Sequence, residues 1–205
     1  MENDDKVLKY MLIGMFIVLL AFGGFVLFKD SDAQVLDNYK YGNGNTVFEI
    51  NKVNDIESYI TILIGDDETL YTIGLRNDPL SLEDIPVEGT LNTRIYNAEQ
   101  IYITINPFAN LTARTTVAAL EINNIIDNEK LYGIPVRSAM TQPYSDYPVK
   151  SCYDATSEEP VIFLTLGSET IVYTDEYCIV VVGTDEDEII RAADRLVLTL
   201  LGVMK

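Results

Sequence analysis

The side chains best placed to do chemistry are Arg76, Asn77, Asp78, Glu83 and Asp84, which fall in one short stretch, R-N-D-P-L-S-L-E-D. A guanidinium, an amide and several carboxylates so close together could hold a small polar ligand or a cation. Asn-Asp-Pro is equally an ordinary turn signature. A second cluster, Thr184-Asp185-Glu186-Asp187-Glu188, offers carboxylates to a hard cation, but no D-x-[DN]-x-[DN]-G loop is present. Between an apolar strand and a helix the run reads instead as a helix start, with Thr184 as N-cap and acids complementing the macrodipole. Gly183 before it is a lone glycine, far short of a phosphate loop.

The chain has no His, so Ser-His and Cys-His chemistry is excluded. Neither S-x-x-K nor G-x-S-x-G occurs, and no cofactor motif stands out. A non-catalytic role is the expectation, with a hydrolase of unrecognised site as a distant alternative. Cys152 and Cys178 are too few for a thiolate zinc site and too far apart for C-x-x-C chemistry. One disulfide closing a loop of about 27 residues would contribute on the order of 3 kcal/mol. Two reduced core cysteines are the alternative. Asn110-Leu111-Thr112 is an N-glycosylation acceptor pattern, or else a helix cap.

Against 14 Lys plus Arg stand 32 Asp plus Glu, a formal charge of -18 that repels nucleic acid. Residues 11–28, M-L-I-G-M-F-I-V-L-L-A-F-G-G-F-V-L-F, carry no charge. As a helix they would rise about 27 Å, enough to cross a bilayer once. Tyr10 and Lys29 suit the two interfaces. A signal peptide is the competing reading, because Ser31 and Ala33 make a small-x-small site, but the apolar run is long for an h-region. The expected organisation is a cytoplasmic tail (1–10), a transmembrane helix (11–28), a stalk (29–46), a first α/β half (47–142) and a second α/β half (149–205). The lysine count barely decides orientation, and the cysteine pair favours an extracytoplasmic domain.

The elements that must position these groups follow from periodicity. Short β-branched runs at 59–64, 70–75, 101–105, 134–140, 161–166, 170–173 and 178–182 predict strands. Helical spacing predicts helices over 112–127 and 185–201. The fold class is therefore α/β, a mixed-sheet exodomain. I-T-I-L-I-G-D-D-E-T-L-Y-T from Ile60 resembles I-F-L-T-L-G-S-E-T-I-V-Y-T from Ile162, which admits an internal duplication of hairpin, strand and helix. Residues 76–99 would then be an insertion in the first copy. The last helix carries one apolar stripe, Ile189, Ala193, Leu196 and Leu200, and a second, Ile190, Val197 and Leu201. A partner is the expected cover for the second stripe.

Asn77-Asp78-Pro79 with Glu83-Asp84-Ile85-Pro86, Ile101 to Pro107, Cys152-Tyr153-Asp154-Ala155-Thr156 and Arg191 to Leu196 together resemble a family of membrane-anchored proteins from small-genome (DPANN-type) archaea. The final strand, Gly183, the acidic turn and the R-x-A-A helix resemble, more weakly, the C-terminal part of archaeal S-layer proteins. Neither resemblance carries catalytic residues over. They imply a single-pass protein of the cell membrane that contacts envelope proteins or itself in surface-layer or envelope assembly. The rival reading is an extracytoplasmic module binding a small ligand or cation through Arg76, Asn77, Asp78, Glu83 and Asp84.

Overall fold

The structure is a computed structural model that describes residues 37–43, 46–54, 57–64 and 69–205. The apolar run 11–28 lies outside the described residues, and among those described no helix is long and apolar enough to cross a membrane.

The first described strand begins at Asp37, ten positions before the expected first α/β half. Strands β1 (Asp37–Asn43), β2 (Thr46–Asn54), β3 (Glu57–Ile64) and β4 (Thr69–Leu75) form a four-stranded antiparallel meander in that order. Asn43 faces Thr46 in register, so residues 37–43 of the expected stalk are a β-strand. The composition of D-N-Y-K-Y-G-N is polar, but Tyr39 and Tyr41 pack on the core and supply the burial.

A second, six-stranded sheet has the order β5-β9-β10-β8-β6-β7, built from β5 (Val87–Glu88), β6 (Ile101–Ile105), β7 (Val136–Met140), β8 (Val161–Leu166), β9 (Ile171–Asp175) and β10 (Cys178–Gly183). Strands β7, β6, β8 and β10 are mutually parallel, and β9 runs against β10. The mixed-sheet expectation therefore holds. The short helix α1 (Asn92–Ile95) lies in the 76–99 segment, α2 (Ala113–Ile126) carries the crossover from β6 to β7, and α3 (Glu186–Leu200) follows β10.

Strand β10 is buried at every position because both faces of the sheet are covered there. Ile179 and Val181 of β10 join a cluster with Ile162, Leu164, Ile101, both long helices and Ile50, Ile60, Ile73 and Leu75 of the meander. Cys178, Val180 and Val182 point to the opposite face, where they meet Tyr102, Val161 and Phe163. The long helices thus sit between two sheets.

Two expectations fail at this level. Segments 60–72 and 162–174 resemble each other but pair differently: β3 and β4 are direct neighbours, whereas β10 lies between β8 and β9. They also belong to different sheets. The second stripe of α3 needs no partner, since Val197 is 0% and Ile190 8% exposed within the chain itself. The turn Pro79–Leu82 of the 76–99 segment packs on this helix, and Arg191 and Arg195 bond to Ser81, Asp84 and Ile85 of the same segment.

Candidate functional site

At the end of β4 the chain turns across the long helices, and the five polar residues singled out in the sequence lie along this seam. Asp78 caps the 3-10 turn Pro79–Leu82, with its Oδ1 accepting from the Leu80 amide at 3.1 Å and the Ser81 amide at 3.4 Å. Proline at the first position of the turn costs no hydrogen bond. The same oxygen accepts from the Tyr39 hydroxyl at 2.6 Å, and Lys52 Nζ lies 3.4 Å from Oδ2. Burial pushes the Asp78 carboxyl up, but the Tyr39 and Lys52 contacts and the Ser81 amide outweigh it and the net direction is down. Burial and the Asp78 carboxylate push the Tyr39 phenol well up.

Asn77 and Arg76 reach inward. Asp194, in the middle of α3, is 0% exposed, and its Oδ2 accepts from the Asn77 amide at 2.8 Å and from Asn77 Nδ2 at 2.9 Å. Arg76 Nε lies 3.1 Å from Oε1 of Glu121 on α2. Glu121 Oε2 and Asp194 Oδ1 are both buried and lack a donor among the described residues, so the two neighbouring carboxyls are satisfied together only if one of them keeps its proton. Burial is the largest cause raising both carboxyls, and the neighbouring Asp194 charge raises Glu121 further against the opposing Arg76.

Glu83 accepts from the Tyr41 hydroxyl at 3.2 Å, and Asp84 meets Arg191 Nη2 at 2.7 Å. Arg191 also donates to the Ser81 carbonyl at 2.6 Å and to Glu188 at 2.8 Å. The five residues therefore point at different partners, and each ties the meander or the 76–99 segment to something else. Glu83 lines a cavity of about 410 Å³ with Tyr41, Gly42, Arg195 and Lys205. Arg195 is largely buried and donates from Nε to the Ile85 carbonyl at 3.0 Å and from Nη2 to the Lys205 carbonyl at 2.5 Å.

The acidic run is a helix start, as its position implied, though the capping residue differs. Asp185, not Thr184, is the N-cap, and its Oδ1 accepts from the Glu188 amide at 2.9 Å. Glu186 Oε2 accepts from the amides and hydroxyls of Thr112 and Thr115, so one carboxylate closes the first turn of α2. Asp187 pairs with Arg114, and Glu188 pairs with Arg191 and accepts from Thr170 at 2.8 Å. A Cβ on Gly183 would stand 2.2 Å from the Ile189 amide nitrogen, so this glycine lets α3 begin against the strand it leaves. Among the described residues no cluster of His, Cys, Asp or Glu is arranged to hold a metal ion.

Thr112 is the N-cap of α2, accepting from the Arg114 amide at 3.2 Å. Asn110 is exposed beside it with φ of 60°. Cys152 and Cys178 form a disulfide with Cα atoms 5.1 Å apart, fastening the 3-10 turn Cys152–Asp154 to the buried strand β10. The loops after β6 and β7 expose Phe108 (66%), Tyr144 (49%), Tyr147 (46%) and Val149 (46%). The Phe108 and Tyr144 rings meet edge to face, their centroids 6.3 Å apart.

Glu121, Asp194, Tyr39, Tyr41 and Arg195 were not legible as site residues. Glu121 and Asp194 do interrupt apolar helix faces, and that interruption is the one signal that could have marked them. No family model, no curated protein and no solved structure matches the chain.

Proposed function

We propose that this chain is a non-catalytic, membrane-tethered protein of the cell envelope that works through protein–protein contacts made by its extracytoplasmic domain. The observation that carries the reading is the exposed aromatic patch of Phe108, Tyr144 and Tyr147, on loops leaving neighbouring parallel strands at the same end of the sheet. Large aromatic side chains left in water on a chain of net charge -18 are out of keeping with a purely solvated surface. Tyrosine and phenylalanine are also the residues enriched where protein surfaces meet. The disulfide supports an oxidising compartment. The apolar run 11–28 supports the tether, and the resemblance to membrane-anchored archaeal proteins and S-layer domains supports an envelope setting.

A photoreactive group placed at Tyr144 in cells, compared with one at the exposed Leu120 on α2, tests this. A discrete protein adduct from position 144 only, lost when Phe108 is changed to Ser, is the expected result. Adducts to lipid alone, or equal labelling from both positions, would remove the patch from the interface.

A further inference from the structure

We propose that the seam between the four-stranded meander and the long helices is a proton-dependent latch, held closed by the proton that Glu121 and Asp194 share. The proposal is independent of the contact reading. Its basis is geometric. Each carboxyl group spends one oxygen on the segment that leaves β4: Asp194 Oδ2 on Asn77, and Glu121 Oε1 on Arg76. The other two oxygens, Asp194 Oδ1 and Glu121 Oε2, are fully buried and have no N–H or O–H donor among the described residues. The two side chains are within bonding reach of each other, so a single proton between them satisfies both orphan oxygens at once.

The charges around the pair leave little else to do that work. From the end of β4 come the Arg76 guanidinium and the neutral Asn77 amide, from α2 Glu121, and from α3 Asp194. The next charged groups along the seam are already paired, Asp78 with Lys52 and Arg191 with Asp84 and Glu188. With the shared proton the pair carries one negative charge, which Arg76 balances. Without it, two carboxylates with buried, unpartnered oxygens face each other, and one guanidinium cannot balance both. The least costly relief is for the Arg76-Asn77 corner to lift and admit water to Asp194. That corner carries the chain from β4 into the Pro79–Leu82 turn, so lifting it loosens the seam.

The sign of the effect follows from proton linkage. Burial and the Asp194 charge push Glu121 from the usual carboxylate range up to about 9. The folded chain therefore binds this proton more tightly than the unfolded chain does. The latch is closed at low pH and weakens as pH rises through the interval up to about 9. With no His in the chain and both cysteines in a disulfide, few other groups titrate between pH 6 and 9 to mask it.

The test is amide hydrogen exchange of the full chain in detergent micelles at pH 6 and pH 9.5, corrected for intrinsic chemical exchange. The expected result is that the Asn77 amide, which donates to Asp194, loses about tenfold or more of its protection at the higher pH, as one unit of pKa difference implies. Amides of the buried strand β10 should keep theirs. In Glu121→Gln the side-chain amide supplies the missing donor permanently, so Asn77 protection becomes independent of pH. Asp194→Asn supplies the same donor from the other side and serves if the first variant folds poorly. Constant Asn77 protection in the natural chain would overturn the latch, and so would an equal pH response in the natural chain and the variants.

Discussion

Asp194 sits among Ala193, Leu196 and Val197 at 0% exposure, where a bare carboxylate would be held at a cost of several kcal/mol. It is tolerable because two donors of Asn77 and the shared proton of Glu121 replace water. Asn77→Ala keeps the backbone donor and removes the side-chain one, so it should destabilise the domain by about 1–3 kcal/mol in denaturant unfolding. Asn77→Asp should cost more, because it adds a third carboxyl to the cluster. A change within experimental error for both would mean that water reaches Asp194 in the native state. The sequence marked Asn77 but not its partner, which lies 117 positions away. Nothing local to Asp194 shows that its side of α3 is covered, and Arg191-Ala192-Ala193-Asp194-Arg195 reads by itself as a solvated helix with an i, i+3 pair.

At the scale of the element, α3 is the strut of the domain. Its two apolar stripes are both core: Ile189, Ala193, Leu196 and Leu200, and Ile190 and Val197 of the second, all belong to one buried cluster. Val197→Glu should therefore unfold the domain and not merely change its association state, with a loss above about 4 kcal/mol from a buried unpaired charge. A folded Val197→Glu variant with native circular dichroism would mean that the covering layer is readily displaced. The N-terminus of α2 depends on a residue from the other helix, since Glu186 satisfies donors of Thr112 and Thr115. Glu186→Ala should cost about 1–2 kcal/mol, measured by thermal melting, in the range of a lost cap. Helices and central strands were legible to within a residue or two, because their apolar periods are strong and local. The strand over 37–43 was not, because its polar residues acquire a buried side only when Tyr39 and Tyr41 meet Asp78 and Glu83.

For the whole molecule, the disulfide and the N-terminal run are the features that bear on where it works. The Cys152–Cys178 bond joins an exposed turn to the buried centre of the sheet. Replacing both cysteines with Ala should lower stability by about 3 kcal/mol, read as a shift in denaturant midpoint, while leaving the fold intact. Under the proposed tether, carbonate extraction should leave the chain in the membrane pellet, and release of a form beginning near Gln34 would mark residues 11–28 as a cleaved signal. The use of Asn110 as a glycan acceptor is open to the same preparation, by intact mass before and after deglycosylation. Its exposure beside the α2 cap leaves room for a glycan.

The order and kind of most elements and the α/β class were determined by the sequence, because each rests on local periodicity; with only two cysteines the partner in any disulfide was fixed too, while the bond itself is seen in the structure. The acidic run could also be read there as a helix start, since the macrodipole acts on its own first turn. Tertiary structure alone decided what covers the second stripe of α3 and that the two similar hairpin segments enter different sheets. It alone brought Glu121 to Asp194 beneath Arg76 and Asn77. These are contacts between residues tens of positions apart, fixed by which layer lies on which, and composition and spacing carry no record of the stacking.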